Sequence, residues 1–255
     1  MIAGRSCPLN YRYPPSLFRE VPIEQASTLY AVGGVYGNPE ALATVLDLKR
    51  HEERTGPPVT LVFASLGCLP KVRTFEIGRT RVGILHGDPE SLAGWGLSRE
   101  ALVPELTADA PGVATPKRVL ARWFTEANVR VYLSSHTCLP VMRELDVAGR
   151  RCLVANNGAA GMPNFQGTRW GLITRASTSP AVSSWSLYGS RVGALHVDAL
   201  PLHYNHLRWM ERFLASWPEG SPAHRGYHHR IDSGTELAAE RAKTLLSRRT
   251  PTHRP

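Results

Sequence analysis

The sequence predicts a layered α/β domain, and three observations carry that prediction. The first is a set of short apolar runs: Thr28–Val35 (TLYAVGGV), Val59–Ala64 (VTLVFA) and Val129–Leu133 (VRVYL). Each is too short for a helix and ends at glycine or serine, as buried strands do. The second is the helical spacing between them. Glu40–Arg54 sets Ala41, Leu42, Val45, Leu46 and Leu48 at helical intervals, and Pro116–Asn128 sets Val119, Leu120, Trp123 and Phe124 on one face. The third is the opening unit, strand then tight turn then helix, with Gly37-Asn38-Pro39 as the turn and Pro39 suited to the first helical position. With 255 residues, 42% of them hydrophobic, the chain can bury a real core. No internal repeat or interdomain linker divides it.

The other elements come in order. Residues 1–27 read as an irregular arm, because Pro14, Pro15 and Pro22 break a helix. Phe75–Ile77 and Arg81–Leu85 flank Gly78-Arg79-Thr80 as a hairpin. Pro89–Val103 reads as a short helix containing Gly94-Trp95-Gly96, and Pro104–Thr115 as a loop. Val141–Leu145 and Cys152–Ala155 read as strands, and Asn156–Phe165 as a glycine-rich turn. Gly171–Thr174 and the run Trp185–Leu202 read as antiparallel strands. His206–Trp217 is an amphipathic helix closed by Pro218, residues 219–234 read as a loop, and Thr235–Leu246 has helical composition. The division expected is an arm at 1–27, one domain at 28–218 and a basic extension at 219–255.

Composition removes several classes. No run approaches the roughly 18–20 apolar residues that span a bilayer. The first residues contain no apolar core of a signal peptide. The expectation is therefore a cytoplasmic protein with no membrane partner and with reduced thiols at Cys7, Cys68, Cys138 and Cys152, none of them in C-x-x-C. The formal net charge is +9, and Ala223–Pro255 holds seven Lys and Arg against three Asp and Glu. A nucleic-acid tail would explain that balance, but no aromatic interleaving or nucleic-acid motif accompanies it, so a plain basic protein is the preferred reading. G-x-S-x-G, the P-loop and the dinucleotide-binding glycine fingerprint do not occur.

The informative feature is a set of four turns, each placed directly after a strand: Gly33–Asn38, His86–Asp88, Ser134–Cys138 and Asn156–Gly161. In layered α/β proteins, ligands bind where such loops converge at the carboxyl ends of strands. His86, Asp88, His136 and Cys138 are all residue types that hold metals or move protons.

In this order, GGVYGNPEAL, H-G-D, SSHTCLP and NNGAAGMP resemble the calcineurin-like metallophosphoesterase superfamily, in particular its D-x-H-G-N, G-H-T-H-x-P, N-P-G-S-x-G-x-P bacterial subgroup. The resemblance covers most of Thr28–Pro163. It implies an α/β/β/α sandwich, a two-metal centre at the strand ends and hydrolysis of a small phosphoester.

The sequence departs from the family's pattern at the centre of that site. Gly34 and Tyr36 stand where the D-x-H carboxylate and imidazole belong, and only Gly37-Asn38 match beyond them. Between Asn38 and His86 there is no G-D-x-x-D and no G-N-H. A deletion near residues 64–75, or a shifted reading frame there, would account for the gap. His86 matches the lone His, His136 the first His of G-H-x-H, and Cys138 the second.

The resemblance therefore implies a metal set of His86, His136 and Cys138. That is an N/N/S set suited to one weak Zn²⁺ rather than to a binuclear Mn, Mg or Fe centre. Asn38, Asp88, Asn157 and Gly158 are candidates for support or anion binding. The expected function is that of a metallophosphoesterase-like protein, a phosphoric ester hydrolase by resemblance, with two-metal catalysis impaired or absent. The alternative is a non-catalytic anion-binding or partner-binding protein on the same scaffold.

Structural readings stand beside these. His86 and His136 also read as loop or core histidines, and Cys138 as a small buried thiol. Asp88 reads as a cap for the helix expected from Pro89. Tyr36 reads as packing in the space a metal would take, and Asn156-Asn157-Gly158 as a turn needing positive φ. His203 and His206 read as a turn or helix cap, and His228-His229 as solvated. Trp95, Trp123, Trp209 and Trp217 read as packing anchors.

Overall fold

A computed structural model describes residues 11–63, 70–103, 114–181 and 186–239. Most of the expected loop at Pro104–Thr115, the first part of the expected deletion at 64–75 and the end of the basic extension lie outside the described residues, as do Cys7 and Cys68.

Two sheets form the centre. The first has the order β1 (Ile23–Gln25), β4 (Val72–Ile77), β5 (Thr80–Leu85), β6 (Val131–Ser134), β8 (Arg150–Asn156) and β7 (Val141–Val147). The second has the order β10 (Tyr188–Val192), β11 (Leu195–Leu202), β9 (Gly171–Ser177), β2 (Thr28–Val32) and β3 (Val59–Phe63). Helices α1 (Leu17–Glu20), α3 (Arg99–Leu102) and α4 (Lys117–Ala127) pack on the first sheet, and α2 (Pro39–Glu53) packs on the second. Beside α2, α5 (His206–Ser216) packs over the same sheet through Trp209 and Phe213, and α6 (Pro222–Ser233) packs against α5. The result is the expected four-layer α/β/β/α sandwich.

Strand alternation explains why the layers hold together. Successive side chains of a strand point to opposite faces. On β2, Leu29 and Ala31 enter the core between the sheets, while Tyr30 and Val32 enter the core beneath α2 and α5. On β11, Leu195, Val197 and Ala199 take the first side, and Leu200 and Leu202 the second. A strand buried on both faces reads as a continuous apolar run, which is why TLYAV stands out in the sequence.

Parallel pairing fixes where the strands end. β5, β6 and β8 are parallel neighbours, as are β2 and β3. Their carboxyl ends, and the turns just beyond them, therefore collect along common edges.

Three elements differ from the sequence reading. The segment read as an irregular arm contains α1 and β1, and β1 pairs parallel with β4 through Ile23–Thr74, Glu24–Phe75 and Gln25–Glu76. Its prolines flank those elements instead of interrupting them. The helix expected over Pro89–Val103 shrinks to Arg99–Leu102, capped by Ser98. Asp88 prevents the longer helix by binding the N–H groups of Glu90 and Gly96 with its carboxylate, each at 3.0 Å. That pulls residues 88–96 into a closed loop. Residues 219–234, read as a loop, hold α6. Ser221 caps it by accepting the His224 N–H, Pro222 begins it, and Gly234 ends it.

Candidate functional site

The four turns meet, and their backbones make most of the joints. Gly34, after β2, bridges to Ala159, after β8, and the Gly34 carbonyl accepts the N–H groups of Ala160 and Gly161 at 3.0 Å each. A side chain at Gly161 would run into the Val35 carbonyl, so only glycine permits this approach. After β5, the His86 carbonyl accepts from Ser135 at 3.1 Å and from His136 at 2.8 Å, tying that turn to the one after β6.

The asparagines serve these joints. Asn38 accepts the Ala41 N–H as the cap of α2 and donates to the Gly161 carbonyl at 3.0 Å. Asn157 donates to the Ala31 carbonyl at 2.8 Å, and its own side-chain oxygen is buried without a hydrogen-bond partner. Gly158 has φ +65° and lies against Asn164, the left-handed turn expected there. Asn38 and Gly158 are thus engaged within the protein.

The backbone joint at His86 brings two imidazoles face to edge. Their ring centroids are 4.7 Å apart, and His86 Nε2 lies 3.0 Å from His136 Nδ1, so one N–H donates to the other's bare nitrogen. Ser135 Oγ holds the far nitrogen of His86, Nδ1, at 3.2 Å. The indole of Trp95 meets the His136 ring edge-on at 5.7 Å. Burial lowers the pKa of His136, favouring its neutral form.

Cys138 and Asp88 turn elsewhere. The Cys138 thiol meets the Tyr36 hydroxyl at 2.6 Å, and burial pushes its pKa up. Asp88 is buried and spends both carboxylate oxygens on its own loop, and burial raises its pKa too. Among the described residues no three His, Cys, Asp or Glu side chains form a group that could hold a metal. The structure therefore brings His86 and His136 together and leaves Cys138 and Asp88 out of any such group.

On the opposite side, the Tyr36 ring covers Gly34, and any Cβ at Gly34 would run into it. Tyr36 and Cys138 both take left-handed backbone, φ 55° and 52°. Tyr36 also borders an apolar cavity of about 240 Å³, lined by Met162, Phe213, Trp217, Tyr227 and Ile231 among others.

A binuclear centre does not fit this donor set. A bridge between two ions needs a carboxylate; Gly34 supplies none and is roofed by a phenol, and Asp88 is committed to its loop. A single Zn²⁺ fits in part. Two nitrogens on one tetrahedral zinc stand roughly 3.3 Å apart, given bonds of about 2.0–2.1 Å, close to the separation of His86 Nε2 and His136 Nδ1.

No family model matches the chain, and no curated protein matches it. Among solved structures it is similar to a metallophosphoesterase from Sphaerobacter thermophilus, at 14% identity over 82% of this chain and 100% of that one, with a TM-score of 0.43. It is similar to a predicted phosphoesterase from Streptococcus pneumoniae, at 16% identity over 70% and 91% of the two chains, with a TM-score of 0.38. It is also similar to Vps29 complexed with zinc from Entamoeba histolytica, at 12% identity over 69% and 99%, with a TM-score of 0.33.

Sequence reasoning missed three side chains at this site. Ser135 lies inside SSHTC, and its place beside the histidine gave the available signal. Trp95 reads as a packing anchor until the closed loop brings it to His136. Arg230, whose guanidinium reaches the Cys138 carbonyl at 2.5 Å, sits in the segment read as a loop and gave no signal. Of the other histidines, His206 is buried and bonds the Ile231 carbonyl at 2.7 Å, while His228 stacks on His224 in α6 with centroids 4.5 Å apart. Among the described residues no helix is long and apolar enough to cross a membrane.

Proposed function

We propose that the chain is a metallophosphoesterase-like protein that binds a small phosphoester at its strand ends and lacks effective two-metal hydrolysis. One observation carries this reading. The His86–His136 pair presents two imidazole nitrogens 3.0 Å apart, and the side facing it holds Gly34 under Tyr36 in place of carboxylate and imidazole. Two-metal hydrolysis needs a carboxylate to bridge the ions and a second set of ligands to hold the clamp. This half-site can bind Zn²⁺ weakly through two nitrogens and can act on a phosphate as a hydrogen-bond donor. Both imidazoles stand in a part-buried setting, where a charge-assisted hydrogen bond is worth more than in water.

The test combines metal titration with turnover. Calorimetry with Zn²⁺ should show weak binding that His86→Ala and His136→Ala each remove, with no tight Mg²⁺ site. Hydrolysis of p-nitrophenyl phosphate and its bis ester, in Zn²⁺, Mn²⁺ or Mg²⁺, should stay at the level of His136→Ala. Metal-dependent turnover that His136→Ala abolishes would overturn the reading in favour of an active hydrolase.

A further inference from the structure

We infer that Arg230 is the anion-recognition residue of this site and that its guanidinium binds a phosphate oxygen of the phosphoester; the inference rests on the function proposed above. Arg230 lies in the last turn of α6, where its Nη2 donates to the Cys138 carbonyl at 2.5 Å and its Nε to the Pro163 carbonyl at 3.4 Å. Those carbonyls belong to the segments just after β6 and β8. Two strand-end turns therefore fix the plane of the guanidinium, and Cys138 is two residues beyond His136. A fixed guanidinium loses little freedom when it takes an oxyanion, and its fork suits phosphate.

The second observation is a missing counter-charge. Arg175, buried in the interior, has Glu52 Oε1 at 2.5 Å and Asp198 Oδ2 at 3.7 Å. Arg230 has no carboxylate at ion-pair distance among the described residues. The titratable groups that act on it are Cys138, Tyr36 and Tyr204, all held neutral at pH 7 because burial raises the pKa of each. Arg99 is a further cation within electrostatic reach, and its charge is met by Glu100 at 3.5 Å. Burial lowers the pKa of Arg230, a sign that its charge is poorly compensated. A half-buried cation held only by neutral carbonyls is costly, and an anion removes that cost. Nη1 makes no hydrogen bond to any described residue, which leaves it free to donate to that anion.

The experiment measures inorganic phosphate and unhydrolysed p-nitrophenyl phosphate binding to the full chain by calorimetry, with chelator present. Arg230→Met should weaken both by about tenfold or more, the usual consequence of losing a charged hydrogen-bond donor. Arg230→Lys should recover part of the loss. In the unsubstituted protein, phosphate should slow modification of Arg230 by phenylglyoxal, mapped by peptide mass. That measurement stands even if Arg230→Met does not fold. Wild-type affinity in Arg230→Met and Arg230→Lys, or modification of Arg230 that phosphate does not slow, overturns the inference and leaves Arg230 as a structural clasp. Binding lost in His136→Ala but kept in Arg230→Met sinks this inference alone. Absence of phosphate and phosphoester binding in the unsubstituted protein sinks it together with the proposed function.

Discussion

On the six-stranded sheet, the ends of β5 and β6 present two imidazoles that share a hydrogen bond, held by Ser135 and covered by Trp95. On the five-stranded sheet, the end of β2 presents a glycine roofed by a tyrosine whose hydroxyl contacts a thiol. Both edges have the same strand-end geometry, and backbone bonds between Gly34 and residues 159–161 join them. Apart from the asparagines that serve these joints, the geometry is therefore independent of the side chains displayed at the two edges. Main-chain bonding and close glycine approaches maintain the scaffold, so one half can hold polar chemistry while the other is closed by packing.

The strongest way to break that comparison is to place a carboxylate at Gly34. Gly34→Asp should destabilise the fold by about 3 kcal/mol or more, because it overpacks the Tyr36 ring and buries an unpaired charge. The cavity that Tyr36 borders gives the ring space to move into, so the protein should still fold. Adding Tyr36→His should return much of the loss, because the smaller ring clears the new side chain. The double variant should also bind Zn²⁺ more tightly than the natural sequence. Urea denaturation of the two single variants and the pair, closed as a double-mutant cycle, measures the coupling. An additive result would mean that Tyr36 does not occupy the space above Gly34.

The same contrast governs how much of the molecule is legible in the sequence. The turns after β2, β6 and β8 are legible because apolar runs end there in glycine, serine or asparagine. The pairing of His86 with His136 becomes legible only through the order of the motifs, since fifty positions separate them in the chain. The local pattern around Asp88 misleads. A carboxylate before Pro89 reads as a helix cap, and only the folded chain shows that it closes a loop onto Gly96 instead. Arg230 is illegible for a different reason. Ile231 is the one residue of α6 that is fully buried, so the segment has no apolar period to mark it as a helix. Capping by Ser221 and packing against α5 make the helix, and packing is a tertiary fact.

A second prediction sharpens the polar half. Asp88→Asn keeps the size of the side chain but has one acceptor oxygen for the two N–H groups of Glu90 and Gly96. It should cost about 1–3 kcal/mol, the range for a buried donor left unpaired. Because that loop carries Trp95, the tryptophan emission should shift toward the solvent-exposed limit, and Zn²⁺ binding at the neighbouring histidines should weaken. Unchanged emission with the stability lost would separate the loop from the histidine pair.

The smallest expected effect lies in the acid limb of the stability profile. Burial lowers the pKa of His136 from its ordinary 6.5, so the unfolded chain takes up a proton at a higher pH than the folded one does. Stability from this group is then fully present above pH 6.5 and falls as pH drops through the lower folded value. On the opposite half, the groups facing each other are Tyr36 and Cys138, whose raised pKa values keep them neutral across this range. The loss should therefore come from the imidazole side alone. Chemical denaturation between pH 7.5 and 5, with chelator present, should show a decline that His136→Gln flattens and Tyr36→Phe leaves unchanged. A decline that persists in His136→Gln would assign the acid sensitivity to other groups and remove His136 as its source.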